Sequence, residues 1–237
     1  MSALMAPLLQ VHRQLQNQGA EADLNHALDL LTRVKTGGQA DMLRLYRPEP
    51  TVAFGQRDTK LAGFGRAEQV SAEHGFVPAV RKAGGRAAAY HRGTLVVDHL
   101  QREDDAIAGA KARFGLFGDL FAQALHSVGV DAAVGEIPGE YCPGEFSVYG
   151  SGPAGRIKLV GTAQRVVSGA WLFSSVIVVE NSAPIRGVLT GTYAALGLDW
   201  DPATAGAAED LVPGVTVDDV ENAVLAAYAA HTQLVKP

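Results

Sequence analysis

At 237 residues, with 47% hydrophobic and 19% charged side chains, the chain is long enough to bury a real core and too apolar to be disordered. Its formal net charge of -5 argues against a general nucleic-acid or membrane-surface binder, and a lone cysteine excludes an internal disulfide and suits a reducing compartment. The opening MSALMAPLLQVHRQLQ lacks a basic start and a long apolar stretch, and the longest apolar run, AWLFSSVIVV, is about half a membrane span, so a soluble cytoplasmic protein is expected.

No repeat of about 20 to 50 residues runs through the chain, which argues against a solenoid. EADLNHALDLLTRVKTGG predicts a helix with Leu24, Ala27, Leu28 and Leu31 on one face and Gly37–Gly38 at its end. ADMLRLYRP and TVAFGQ read as strands, the second ending at Gly55, and RAEQVSAEHG as a short helix stopped by Gly75. FVPAVRKAGGRAAAYHRGTLVVDHL reads as a strand, a loop at Gly84–Gly85, and two strands turned near Arg92–Gly93. DDAIAGAKARFGLFGDLFAQALHSVG predicts a long helix whose stripe of Phe114, Phe117, Phe121, Leu125 and Val128 packs on a sheet. Three strands follow, EFSVYG, RIKLVGTAQRVV and AWLFSSVIVVE, the first two linked by a turn at Gly150–Gly155. PIRGVLTGTYAALG reads as a helix and PATAGAAED as a mobile surface loop. TVDDVENAVLAAYAAHT closes as a helix capped by Thr216, with Val220, Val224 and Ala227 inward. This order predicts an α+β fold: one domain over residues 1–237, with a mixed, mostly antiparallel sheet flanked by helices.

Three stretches could carry chemistry. In RKAGGRAAAYH, two glycines allow close backbone approach, Arg81, Lys82 and Arg86 bring positive charge, and Ala87–Ala89 leave a narrow apolar slot. That suits an acyl chain with a polar head; a glycine turn with solvated basic residues reads equally from composition. The spacing is not that of a P-loop. In RIKLVGTAQR, alternation places Arg156, Lys158 and Val160 opposite Ile157 and Leu159, so Lys158 faces either a cleft or plain solvent. In GEYCPGEF, Pro143–Gly144 puts Cys142 on a turn, where it is either a nucleophile or an inert apolar residue. A thiol near the Lys158 ammonium has its thiolate favoured.

Together these stretches resemble the catalytic domain shared by lipoate-protein ligases, octanoyl and lipoyl transferases, and biotin-protein ligases. RKAGGRAAAYH is similar to that family's Arg-x-x-Gly-Gly-Arg/Gly-x-x-x-x-His loop, KLVGTAQR to its Lys-x-x-Gly-x-x-Gln/Tyr-Arg motif, and VAFGQRDT to the strand that precedes them. The resemblance spans roughly Leu24 to Val179. GEYCPGEFSV is similar to the Cys-Pro-Gly segment of amidotransferases that move octanoyl or lipoyl groups through an acyl-thioester. The chain departs from the pattern at Arg92, where the family often has Asp, and in Arg156-Ile157-Lys158, which carries an extra residue. The Gly-Arg-Gly-Arg loop of biotin ligases is absent.

The resemblance implies Cys142 as nucleophile and Lys158 as base, with Arg81, Gly84, Gly85, Arg86, His91, Gly161 and Gln164 binding substrate, amides near Gly161 at the oxyanion, and no metal. The donor would be an acyl carrier protein or an acylated lipoyl-domain protein, the acceptor a lysine of a lipoyl-domain protein, with neither nucleic acid nor membrane involved. Transfer needs no cofactor. Arg81, Lys82, Arg86, Arg92, Arg156 and Arg165 could form a basic rim that steers acidic carriers. One alternative is an ATP- and Mg-dependent ligase, in which Lys158 holds an acyl-adenylate; such ligases usually need a further C-terminal domain, and fewer than 60 residues follow Val179. The other is a non-catalytic relative that binds lipoyl cargo or a carrier.

Overall fold

The computed structural model describes residues 8–236; the first seven residues of the opening segment lie outside the described residues. An eight-stranded sheet runs in the order β11 (Gln233–Val235), β1 (Leu8–Gln14), β2 (Met42–Tyr46), β6 (Thr94–Arg102), β10 (Ala170–Val178), β9 (Gly155–Val167), β8 (Val148–Gly152), β7 (Ala132–Val134). Among the described residues of this sheet only β1 pairs in parallel, with β11 and β2; the other neighbours are antiparallel, as the sequence predicts. A second sheet holds β4 (Val77–Val80), β3 (Thr51–Phe54) and β5 (Ala88–Tyr90). The turn at Arg92–Gly93 is therefore a corner that passes the chain from the small sheet to the large one, since β5 pairs with β3 and β6 with β2 and β10. The short strands β1, β7 and β11 went unpredicted.

Alternation along β2, β6 and β10 sorts side chains between two faces. Leu43, Leu45, Leu95, Val97, Trp171 and Phe173 point to one face, where α3 (Ala110–Ser127) and α5 (Val217–Ala229) bury Phe117, Phe121, Leu125, Val220 and Val224 against them. Each such buried side chain contributes roughly 1.5–3 kcal/mol. On the other face Met42, Leu100 and Leu172 pack under Leu30, Leu31 and Val34 of α1 (Ala20–Lys35). The small sheet, α2 (Phe64–Glu73) and α4 (Ser182–Leu196) form a second core around Phe54, Phe76, Val188 and Leu189. Thr216 caps α5 as its sequence suggests: its Oγ1 accepts the Asp219 N–H at 3.2 Å and the Asp219 carboxylate accepts the Thr216 N–H at 2.9 Å.

Two expectations are overturned. PATAGAAED is not a mobile surface loop: Thr204, Ala205, Ala207 and Ala208 are buried, and Ala205 bridges to Lys158 on β9. The segment packs so closely that a Cβ on Gly206 would lie 2.3 Å from Ile157 Cδ1. The alternation expected along β9 also fails. Val148 pairs with Val160 and Tyr149 with Lys158, so Leu159 is the extra residue of a bulge, and Leu159 and Val160 are both fully buried in the main core. Among the described residues no helix is long and apolar enough to cross a membrane.

Candidate active site

A cavity of about 610 Å³, within the range that holds small-molecule ligands, opens between the two sheets. Its floor is the large sheet, with Tyr46, Val96, Asp98, Ser174, Val176, Gly161 and Ala163 on one face. Its roof is Val80, Ala88, Ala89 and Tyr90 of the small sheet with the loop Arg81–Gly85; Leu24 and Leu28 of α1 and Phe114 of α3 close the sides. On the same face of the sheet Arg44, fully buried, bridges Asp98 at 2.9 Å and Asp23 at 3.1 Å. A buried guanidinium is tolerable here because both carboxylates and the Gln14 amide oxygen accept its hydrogen bonds.

Cys142 and Lys158 meet at the wall of this cavity. Cys142 is half-buried on the segment between α3 and β8, in a left-handed backbone conformation with φ 44°. Few non-glycine residues adopt that conformation, and where they do the surroundings hold them there. Here its N–H donates to the Tyr193 hydroxyl at 2.7 Å, and that hydroxyl donates to the Ala87 carbonyl at 3.0 Å. Burial first, and then the nearby Cys142 charge, push the Tyr193 phenol well above its usual range, so it stays neutral and can serve both bonds. Burial does the same to Tyr141.

The glycine loop sits directly over the sulfur. The Arg86 N–H donates to Cys142 Sγ at 3.1 Å, and Arg81 Nη2 approaches it at 3.7 Å. Both are donors that can hold negative charge on sulfur. Gly85, at φ 102°, admits no side chain: a Cβ would fall 2.5 Å from Arg81 Nη2 and 2.8 Å from Sγ. Gly55 is constrained from below, since a Cβ there would strike the Gly85 carbonyl oxygen at 1.9 Å. Asp58, fully buried, ties this contact together by accepting the Gly55 N–H at 2.8 Å and pairing with Arg86 at 3.0 Å.

Lys158 is 1% exposed. Its Nζ donates to Glu140 Oε1 at 3.2 Å, the Tyr141 carbonyl at 3.0 Å and the Cys142 carbonyl at 2.8 Å. Three acceptors match the three N–H donors of an ammonium. No hydrogen bond joins Nζ to Cys142 Sγ among the described residues; the lysine grips the backbone of the cysteine and leaves its thiol to the glycine loop. Glu140 Oε1 also accepts from Ser147 Oγ at 2.6 Å and from the Gly144 N–H at 2.9 Å. The turn that Pro143–Gly144 predicts is thus wound around a buried ion pair.

The other expected site residues divide. Arg81, Gly84, Gly85, Gly161 and Gln164 line the cavity, whereas Arg86 and His91 do not. Arg86 acts through its backbone N–H, its guanidinium being held by Asp58. His91 is buried at the sheet-to-sheet corner, where Nδ1 accepts the Gly93 N–H and Nε2 donates to the Asn181 carbonyl, both at 2.9 Å. Its polar atoms serve the start of α4 and face away from the cavity. Gln164 is held by α3, donating to the Ala110 carbonyl at 2.7 Å and accepting from Arg113 at 3.3 Å.

The basic rim shrinks as well. Arg81 turns inward onto the carbonyls of Ala53, Gly84 and Arg86, Arg92 pairs with Glu49, and Arg156 lies over the Tyr149 ring at 4.7 Å. Arg165 donates to the Lys82 carbonyl at 3.1 Å, and Lys82 alone of the expected rim remains exposed at the mouth, joined by Arg57, which the sequence reading passed over. It also missed Glu140, Asp58 and Tyr193. Glu140 lies two residues from Cys142, but nothing local distinguishes it from Glu145, which is exposed and pairs with Lys111.

Residues 21–229 match the model of the lipoyl protein ligase A/B catalytic domain. The octanoyl-[GcvH]:protein N-octanoyltransferase of Geobacillus kaustophilus is 29% identical over 197 residues, 82% of this chain and 68% of that protein. The protein of the same name from Exiguobacterium sibiricum is 27% identical over 233 residues, 90% of this chain and 82% of that protein. Among solved structures, lipoate-protein ligase A bound with ATP superimposes with a TM-score of 0.70 at 20% identity, over 99% of this chain and 89% of that one. The bi-partite lipoate protein ligase of Thermoplasma acidophilum gives 0.68 at 21% identity, over 99% and 87%. The structural likenesses establish a shared fold; with a match that takes in the glycine loop, the Cys142 turn and the Lys158 strand, the chain belongs to the lipoyl protein ligase A/B catalytic domain family.

Proposed function

We propose that this protein, as one catalytic domain, transfers a medium-chain acyl group, octanoyl or lipoyl, from a carrier protein to a lysine of a lipoyl-domain protein through a thioester on Cys142. The observation that carries this reading is the setting of Cys142: a strained turn at the cavity wall, with its sulfur under the Arg86 N–H and its backbone held by the Lys158 ammonium. The names of the relatives support octanoyl and a protein-borne donor.

The thiolate attacks the acyl carbonyl, a C–S bond forms, and the donor's leaving group departs. When the leaving group is a lysine amine it must take a proton, and in this reading Lys158 supplies it. The acceptor lysine then attacks the thioester, the C–S bond breaks, the thiolate returns, and the amine's surplus proton goes back to Lys158. The acyl chain lies along the floor from Gly161 over Val176 and Val96 toward Tyr46, across three strand spacings. At about 4.8 Å each these give roughly 14 Å, room for a medium chain.

ATP and Mg²⁺ belong to the ligase alternative only. An acyl-adenylate needs a cation for its phosphate, and Arg81, Arg86 and Lys158 beside Cys142 are already engaged, Arg81 by carbonyls, Arg86 by Asp58 and Lys158 by Glu140. That favours the thioester route.

The test is intact mass of the protein after incubation with an octanoyl-loaded carrier in the absence of ATP. A hydroxylamine-labile octanoyl adduct, absent in Cys142→Ser, is the expected result. No adduct, together with acylation of a lipoyl domain from free octanoate and ATP, would replace this reading with the ligase; binding of cargo without either transfer would make the protein non-catalytic.

A further inference from the structure

Glu140 is a carboxylate 3% exposed, placed in the same turn as the nucleophile, and no part of the acyl-transfer chemistry above uses it. A buried carboxylate is costly unless paired and hydrogen-bonded. This one is both, through Lys158 Nζ, Ser147 Oγ and the Gly144 N–H on a single oxygen, with the Ile137 N–H facing the other at 3.5 Å. Among the described residues its only charged partner is Lys158. The remaining two protons of Nζ go to backbone carbonyls, which would accept equally from a neutral amine, and the Tyr141 ring lies 5.0 Å away. Among the described residues Glu140 is therefore the one carboxylate paired with the buried Lys158.

We infer that Glu140 is a positioning residue that anchors Lys158 through their buried ion pair, so that the lysine delivers a proton to a departing lysine amine and receives it back from the incoming one. This rests on the acyl-Cys142 reading. It also separates two kinds of donor. Displacing an amine from an amide requires a proton on the nitrogen as the C–N bond breaks. Displacing a thiolate from a thioester requires none, because the thiolate leaves as it is and Cys142 supplies the equivalent sulfur.

The experiment measures single-turnover formation of acyl-Cys142 by Glu140→Gln from two donors, an octanoyl-lysine lipoyl domain and an octanoyl thioester. Glutamine keeps the shape and an acceptor oxygen for Lys158, Ser147 and Gly144. Expected is a fall of about 100-fold or more with the amide donor, the scale of general acid catalysis. With the thioester, and in iodoacetamide alkylation of Cys142, the change stays within about threefold. Ser147→Ala, which removes one hydrogen bond and keeps the charge, changes neither donor by more than about threefold. Equal losses with both donors, or lost alkylation, would reduce Glu140 to a structural pin and overturn the inference. An undiminished amide reaction would overturn it too. If wild type forms no adduct with either donor, the acyl-Cys142 reading has failed, and Glu140 falls with it.

Discussion

Two buried cations, Arg44 and Lys158, lie in the same large sheet, and their surroundings differ in kind. Arg44 lies on a regular strand, and its partners Asp98 and Asp23 come from the adjacent strand β6 and from α1. Lys158 lies at a bulge, and all three of its acceptors come from one irregular segment, Glu140–Cys142. Arginine stays charged and presents a fixed fork, so it suits a cluster whose task is to hold a sheet and a helix together. Lysine is a point charge that can release its proton, so it suits a cluster that shapes a nucleophile and exchanges a proton beside it. Two ion pairs that look alike by burial are separated by what their partners belong to.

The sharpest way to break this comparison is to remove each cation. Lys158→Met is expected to lower acyl transfer from an amide by about 10²–10⁴-fold and to destabilise the fold by about 3–5 kcal/mol, since Glu140 is left buried and unpaired. Arg44→Leu should cost a similar amount in urea unfolding, because Asp23 and Asp98 lose their shared cation, yet the folded fraction should still form the adduct on Cys142. Adduct formation abolished in folded Arg44→Leu would show that the two clusters are not separable in function.

His99 provides a third term, a buried titratable side chain with no ionic partner, packed among Phe117, Trp171 and Tyr228. Burial lowers it from its ordinary 6.5 to about 3, so folding favours the neutral ring and the unfolded chain takes up the proton first as pH falls. Its contribution is complete above about pH 6.5 and is lost toward pH 3, by up to about 1.4 kcal/mol per pH unit. Urea midpoints measured from pH 7 to 4 should fall less steeply in His99→Phe than in wild type; parallel slopes would remove His99 from the account.

Smaller effects sharpen the description of the Cys142 turn. Gly85→Ala, at a positive φ and against Sγ, should cost about 1–3 kcal/mol and slow alkylation of Cys142 several-fold. Unchanged alkylation kinetics would mean that the loop does not hold the sulfur. Tyr193→Phe removes the hydroxyl between the Cys142 N–H and the Ala87 carbonyl, with an expected loss of about 1–2 kcal/mol and a modest fall in transfer rate. A stability equal to wild type would show that water replaces the hydroxyl there.

Much of this was legible beforehand because it is local. Periodicity placed Phe117, Phe121 and Leu125 on the buried face of α3, and Thr216 as a cap placed the start of α5. The cavity motifs were legible through their resemblance, which brought the glycine loop, Cys142 and Lys158 to one place. Alternation failed along β9, because a bulge is a two-strand property that the strand's own residues do not announce. PATAGAAED misled because small residues suit both an exposed loop and a close-packed one, and Ile157 decides for packing.

What the sequence by itself determined, then, is the order of elements, the alternating faces of the sheet and the residue types gathered at the cavity, all consequences of short-range pattern. What only the tertiary structure decided is which polar groups are paired. It chose Glu140 over Glu145 for Lys158, directed Arg81 and Arg86 inward rather than to a rim, turned His91 to the corner, and brought Tyr193 from α4 to the Cys142 amide. The reason is physical: hydrophobic burial follows the period of one element, whereas a buried charge or amide must find its partner wherever the folded chain supplies one.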